Sequence, residues 1–218
     1  MGSVYLLRHG QASFGAADYD VLSPAGQRQA TALGEELRRR AVPVRAVWSG
    51  TLRRQLATAS AALAAAGVDL EVRQDARWNE YDHIGLVPEG QSVDPAGSAR
   101  QFQTLLDAAL RTWLSSGSEI AGTGTWETFS GGAFAALSDV FDGLPSGGSA
   151  LVFTSAGVIA AVCARLLGVA PEGYLALNRT MANASITKVV RGRSGVTLLS
   201  FNEHAHFEGD RRELLSYR

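Results

Sequence analysis

Short apolar runs alternate with segments of helical spacing along this chain. The runs at 4–7, 44–48 and 149–153 have the length and composition of buried strands. After the first run, Ala30, Leu33 and Leu37 recur at the spacing of one helix face. This alternation predicts an α/β fold of three layers, in which helices cover both faces of a mostly parallel central sheet.

Boundary signals refine this picture. Ser23 followed by Pro24 is typical of a helix start, because serine caps the helix and proline suits its first position. A further strand is predicted over 68–72. Near the C-terminus, the β-rich segments 184–190 and 196–201 flank a glycine-containing turn, which predicts an antiparallel hairpin at one edge of the sheet.

Composition limits the functional classes. With 218 residues, of which 46% are hydrophobic, the chain is predicted to form a single domain over 1–218. A net charge of −1 argues against nucleic-acid binding, and no segment is typical of a signal peptide or a membrane anchor. We therefore expect a cytoplasmic protein with no nucleic-acid or membrane partner. Cys163, the single cysteine, lies in an apolar run and is predicted to be a buried core residue.

Three of the predicted strands end in polar segments. Arg8-His9-Gly10 follows the first strand, Ser49 to Arg54 the second, and Thr154 to Gly157 the strand at 149–153. Parallel neighbouring strands bring their carboxyl ends to one edge of the sheet, where ligands bind in open α/β folds. Arg54 falls in the first turn of its helix, so two arginines, an imidazole and a helix N-terminus converge. This combination predicts a site for a phosphoryl group.

At these residues the chain resembles the histidine phosphatase superfamily, the phosphoglycerate mutase-like proteins. The resemblance covers roughly residues 3–85 and 148–208, and the intervening segment, 86–147, corresponds to a variable helical cap inserted over the site. It is carried by these motifs, in order: Leu6-Leu7-Arg8-His9-Gly10-Gln11-Ala12, Leu22-Ser23-Pro24-Ala25-Gly26, 49–59, Trp78-Asn79-Glu80, 149–159 and 202–208.

The resemblance implies a role for each site residue. His9 is implied as the nucleophile, Glu80 as the acid/base carboxylate, and Arg8 and Arg54 as phosphate ligands. Ser155 stands where the family normally has a second histidine, so it is implied as a weaker phosphate contact. Loss of one preorganised donor typically costs about 10²–10³ in rate, which predicts an enzyme of reduced activity.

A second departure from the family concerns the segment after the first motif. Many members have an asparagine there, whereas this chain has Ser13-Phe14-Gly15. A phosphate contact from this segment must therefore come from Ser13, from backbone N–H groups, or not at all.

Other polar residues have competing interpretations. His204 and His206 alternate near acidic residues, but we interpret them as structural because the expected chemistry needs no metal and no organic cofactor. Asp82 is the reserve acid if Glu80 faces away from the site, and His83 could line the pocket or contact solvent. Five aromatic residues of 86–147 are predicted to form the core of the cap itself: Phe102, Trp113, Trp126, Phe129 and Phe134.

The sequence therefore predicts a phosphomonoester hydrolase that acts on a small phosphorylated metabolite through a phosphohistidine. A mutase that returns the phosphoryl group to a second hydroxyl is the first alternative. The second is a catalytically weakened phosphate-binding protein. The segment 86–147 carries seven acidic residues against two arginines, and this excess disfavours the polyanionic substrate of a mutase. A homodimer is left open.

Overall fold

Six strands form one mixed sheet at the centre of the structure. The computed structural model describes residues 2–13, 19–82, 86 and 99–217, with the side chains of 99–103 excepted. The strands run in the spatial order β3-β2-β4-β1-β5-β6. Their bounds are β1 Gly2–Arg8, β2 Val44–Ser49, β3 Val72–Gln74, β4 Ser149–Thr154, β5 Ile186–Gly192 and β6 Gly195–Glu203.

Parallel pairing brings three strand ends to the same edge. β1 pairs with β4 in parallel, so that Arg8 lies opposite Thr154. β4 pairs with β2 in the same sense, so that Phe153 lies opposite Ser49. β5 runs antiparallel to β1, and β6 runs antiparallel to β5. The structure confirms the mostly parallel sheet, its antiparallel edge and the terminal hairpin.

Helices cover both faces of this sheet. Side chains alternate along β1, so that Val4 and Leu6 belong to one apolar cluster while Tyr5 and Leu7 belong to the other. The first cluster packs beneath α4 and α5, and the second beneath α1 and α2. The helix bounds are α1 Pro24–Arg39, α2 Arg53–Ala66, α3 Ala99–Ser116, α4 Trp126–Asp142, α5 Ala156–Leu167 and α6 Pro171–Thr180. The predicted three-layer α/β/α architecture is thereby confirmed.

The strand predicted over 68–72 has different bounds, because β3 begins only at Val72. Gly67 ends α2 in the left-handed conformation, with φ of 69°, and the Val68 N–H bonds to the Leu63 carbonyl at 3.0 Å. Residues near 68 therefore close the helix, and the chain reaches the sheet only after 71. In the described ranges, no helix has both the length and the apolar character needed to cross a membrane.

The aromatic residues of 113–129 pack against residues outside the predicted cap. Trp113 and Phe129 contact the ring of Tyr81, at centroid distances of 5.7 and 6.0 Å. Trp126 contacts Tyr174, at a centroid distance of 4.6 Å. Trp113, Trp126 and Phe129 also contact one another, with centroid distances of 5.4 to 6.1 Å, so the expected aromatic cluster is present. It extends beyond the predicted cap and links α3 and α4 to the segment beside Glu80. The bounds of the cap itself stay a prediction.

Other aromatic residues of the predicted cap have different settings. The Arg165 guanidinium lies over the Phe134 ring, 4.7 Å from its centroid. The side chain of Phe102 lies outside the described residues.

A close contact between two glycines fixes the segment that follows β1. A β-carbon on Gly26, in the first turn of α1, would overlap the Gln11 carbonyl oxygen, and one on Gly10 would overlap the Gly26 carbonyl oxygen. The Gly10 N–H bonds to the Thr58 hydroxyl of α2 at 3.1 Å. Because neither glycine has a side chain, α1 can pack directly against the segment after β1. The hydrogen bond from Gly10 to Thr58 ties the same segment to α2.

This contact predicts that Gly26→Ala destabilises the protein by about 1–3 kcal/mol, because the backbone at Gln11 must shift to admit a methyl group. Gly131→Ala is the matched control. Its β-carbon would meet no atom within 4 Å, so that alanine should stabilise α4 by about 0.5–1 kcal/mol. Urea denaturation measures both free energies of unfolding. Equal effects from the two substitutions would contradict the role given to the Gly10–Gly26 contact.

Candidate functional site

Arg8 and His9 lie at the carboxyl end of β1, and each is 5% exposed. Backbone hydrogen bonds hold His9 from two sides: its N–H donates to the Thr154 carbonyl at 2.9 Å, and its carbonyl accepts from the Ala184 N–H at 3.2 Å. The Arg8 guanidinium donates to the Met181 carbonyl. The neighbouring strand β4 and the segment before β5 together place both side chains.

The hydrogen bonds of His9 define its tautomer. Nδ1 lies 2.7 Å from the Gly10 carbonyl oxygen, which can only accept, so Nδ1 carries the proton. Arg54 Nε donates to His9 Nε2 at 3.2 Å, so Nε2 carries a lone pair. Burial, then the nearby Arg54 and Arg8 guanidiniums, hold the pKa of His9 well below its usual 6.5. The ring is therefore a neutral imidazole at neutral pH, with its unprotonated Nε2 facing Arg54.

Arg54 lies in the first turn of α2 and is 6% exposed. Its Nη1 donates to the Asp20 carboxylate at 2.7 Å, and the other oxygen of that carboxylate accepts from the Arg53 N–H at 2.8 Å. The Tyr19 ring lies beside the same guanidinium, 5.4 Å from centroid to Cζ. The sequence predicted Arg54 as a site residue but did not predict Asp20. Only its position in the segment between β1 and α1, next to the predicted site, could have pointed to it.

Glu80 lies at the N-terminus of α5. One of its carboxylate oxygens accepts from the Gly157 N–H at 3.0 Å. A β-carbon on Gly157 would overlap the other carboxylate oxygen and the Tyr81 ring, so a side chain at position 157 would force Glu80 and Tyr81 to move. The carboxylate of Glu80 thus contacts Gly157, which lies two residues after Ser155 in the chain, at the edge of the sheet that carries His9.

Ser155 follows β4 and is fully buried. Its hydroxyl accepts from Gln55 Nε2 at 2.9 Å, and the same amide group donates to the Trp78 carbonyl at 2.9 Å. Gln55 follows Arg54 in α2, so one buried amide ties the helix that carries Arg54 to the segment that leads to Glu80. Sequence reasoning missed Gln55, because nothing in the order of residues marks a glutamine in a helix as buried.

The remaining candidates from the sequence are Asp82, His83 and the segment after the first motif. Asp82 is exposed, and its N–H bonds to the Thr123 hydroxyl at 3.0 Å. His83 and Phe14 lie outside the described residues, while the Ser13 N–H bonds to the Val21 carbonyl at 2.9 Å.

His204 and His206 each contact a backbone carbonyl. His204 Nδ1 lies 2.6 Å from the Asn202 oxygen, and His206 Nε2 lies 3.1 Å from the Ala184 oxygen. Burial lowers the pKa of His206 to about 4, so this ring is neutral. Both contacts fit the structural interpretation. Within the described part of the chain, no group of three or more His, Cys, Asp and Glu side chains could hold a metal ion.

Solved structures share this fold. A phosphoserine phosphatase variant from Entamoeba histolytica, crystallised with phosphoserine, is 21% identical, with a TM-score of 0.70 over 94% of this chain and 99% of that one. A mycobacterial glucosyl-3-phosphoglycerate phosphatase is 23% identical, with a TM-score of 0.69 over 93% and 99%. A putative α-ribazole-5′-phosphate phosphatase from Escherichia coli is 19% identical, with a TM-score of 0.66 over 93% and 98%.

At these identities the structural similarity shows the fold alone. A comparison of the sequence with curated proteins finds no significant match. The family model of the histidine phosphatase superfamily, branch 1, matches residues 4–204 and thus spans the strand ends that carry His9, Arg54 and Ser155. The chain therefore belongs to branch 1 of the histidine phosphatase superfamily.

Proposed function

We propose that the protein is a phosphomonoester hydrolase that acts on a small phosphorylated metabolite through a phosphohistidine at His9. The observation that carries this proposal is the state of His9: a neutral imidazole whose Nε2 lone pair lies 3.2 Å from an arginine Nε. A nucleophile and a phosphate ligand thus stand side by side. Family membership supports the reaction class.

Arg8 and Arg54 would hold the oxygens of the phosphoryl group. Guanidinium groups suit this task because they donate parallel hydrogen bonds to phosphate oxygens. Both arginines are buried, so their charges are screened less than those of surface residues. Burial, together with these two charges, keeps His9 unprotonated.

In the first half of the reaction, Arg54 Nε releases its hydrogen bond to His9 Nε2. The freed Nε2 lone pair attacks phosphorus, and the bond from phosphorus to the ester oxygen breaks. The leaving oxygen takes a proton from the Glu80 carboxyl group, and the product alcohol departs. In the second half, Glu80 takes a proton from water as the water oxygen attacks phosphorus. The P–N bond then breaks, which restores neutral His9 and releases inorganic phosphate.

Ser155 would contribute least to this set. Its hydroxyl accepts a hydrogen bond from Gln55, which leaves its own proton available for donation to a phosphoryl oxygen. Because Ser155 is fully buried, that contact requires neighbouring atoms to shift. The cytoplasmic location and the homodimer stay predictions from the sequence.

The phosphohistidine is tested by labelling. A radiolabelled aryl phosphate, quenched rapidly in alkali, should leave label on the wild-type protein that survives alkali and is lost in acid. Glu80→Gln should increase the label, because hydrolysis of the intermediate loses its base while an aryl leaving group scarcely needs an acid. His9→Ala should carry none, whereas His204→Gln, the control, should label normally. Equal labelling of His9→Ala would overturn the mechanism.

The acid role of Glu80 is tested by leaving-group dependence. An alkyl phosphate leaves as a poor alkoxide, so Glu80→Gln should lower kcat for an alkyl ester by about 10²-fold or more, and substantially less for an aryl ester. Glutamine keeps an oxygen that can accept from the Gly157 N–H, and Asp82→Asn is the control for a nearby exposed carboxylate. Equal losses on the two esters would assign Glu80 a structural role.

The serine at 155 is tested together with its partner. Ser155→Ala should lower kcat by less than about tenfold, because one neutral hydrogen bond is worth roughly 1 kcal/mol. Ser155→His alone places an imidazole against the Gln55 amide, so we expect a gain in kcat only when Gln55→Ala makes room. Gln55→Ala alone is the control. If the folded double variant shows no gain over that control, position 155 does not face the phosphoryl group.

A further inference from the structure

The Asp20 carboxylate lies on the donors that a phosphoryl group would need. One oxygen accepts from Arg54 Nη1 at 2.7 Å and lies 3.4 Å from the Arg54 N–H. The other oxygen accepts from the Arg53 N–H at 2.8 Å. A side-chain carboxylate therefore occupies both the guanidinium and the first turn of α2, the two features that attract an anion to this edge.

Arg54 donates from both sides of its guanidinium in this state. Nε bonds to His9 Nε2 at 3.2 Å, and Nη1 bonds to Asp20. Bidentate binding of phosphate needs two donors of one guanidinium. Phosphate that takes the Nη1 donor must therefore displace the Asp20 carboxylate or lie against its charge.

The charges at the site lead to the same conclusion. Among the described residues, the Asp20 carboxylate contacts the Arg54 guanidinium directly, and His9 beside it is neutral. Neutralising Asp20 would therefore remove one negative charge from next to a proposed phosphate ligand and strengthen the attraction of the site for any phosphate.

We propose that Asp20 is an internal competitor for the phosphate site, which weakens the binding of inorganic phosphate and so speeds its release. This inference rests on the proposed function, because it assigns Arg54 to phosphate. Asp20 sets how strongly a phosphoryl anion must interact with the rest of the site before it can displace the carboxylate. Substrates with further contacts meet that requirement, whereas the bare product does not.

A simple positioning role makes the opposite prediction. If Asp20 only orients Arg54, its removal disorders the guanidinium, so that phosphate binds more weakly, KM rises and kcat falls. If Asp20 competes, its removal tightens phosphate binding and lowers KM. The direction of the change therefore separates the two roles.

The experiment is calorimetric titration of inorganic phosphate into the wild type, Asp20→Asn and Asp142→Asn. Asparagine keeps an oxygen for the Arg53 N–H, so the start of α2 stays capped while the charge is lost. Asp142 pairs with Arg191, and its side chain is 68% exposed, so its substitution controls for the change in net charge. Asp20→Ser is a second capping variant in case Asp20→Asn fails to fold.

We expect Asp20→Asn to lower the Kd for phosphate by about tenfold or more, with a lower KM and stronger product inhibition in turnover assays. An unchanged or raised Kd in both folded Asp20 variants overturns the proposal, as does an equal decrease in Asp142→Asn. Hydrolysis by the wild type tests the proposed function separately. Tighter phosphate binding in a protein without turnover would reject the hydrolase while supporting the role of Asp20.

Discussion

Burial of the Arg8 guanidinium is the constraint on which the site depends. A buried cation is costly unless its donors are satisfied, and the Met181 carbonyl accepts from it. The chain on either side of that carbonyl is held by Asn202, whose side chain accepts from the Ala182 N–H at 2.8 Å and donates to the Thr180 carbonyl at 2.8 Å. The antiparallel hairpin therefore does more than close the sheet, because it places the acceptor that keeps Arg8 beside His9.

At this edge, the N-termini of two helices each donate a backbone hydrogen bond to a side-chain carboxylate. Asp20 accepts from the first turn of α2, and Glu80 accepts from the Gly157 N–H of α5. The neutral imidazole of His9 contacts Arg54, the residue that Asp20 holds. We thus propose opposite roles for these two carboxylates: Glu80 stays at the start of α5 for acid/base chemistry, and Asp20 leaves the start of α2 when phosphate binds.

The sequence predicted the parts of the fold that depend on local patterns. Apolar runs predicted the parallel strands, and residues at their ends predicted the edge where Arg8, His9 and Arg54 meet. It did not predict Asp20, Gln55 or the Met181 carbonyl as partners of the site. Each acts through a contact between segments far apart in the chain, and a backbone carbonyl leaves no mark in residue identity. The sequence shows a glycine at 157, but its contact with the Glu80 carboxylate is evident only from the structure.

The serine at 155 changes the electrostatics of the site as well as its hydrogen bonds. A histidine at this position could carry a charge that varies near neutral pH, whereas serine cannot. Burial and two guanidiniums keep His9 neutral, so this ring adds no charge that varies around neutral pH. Under the proposed mechanism, proton transfer would then fall to Glu80 and to the phosphate ester itself. The positive charge proposed to hold phosphate depends on how firmly Arg54 is held, and the Asp20 carboxylate is a direct contact to that guanidinium.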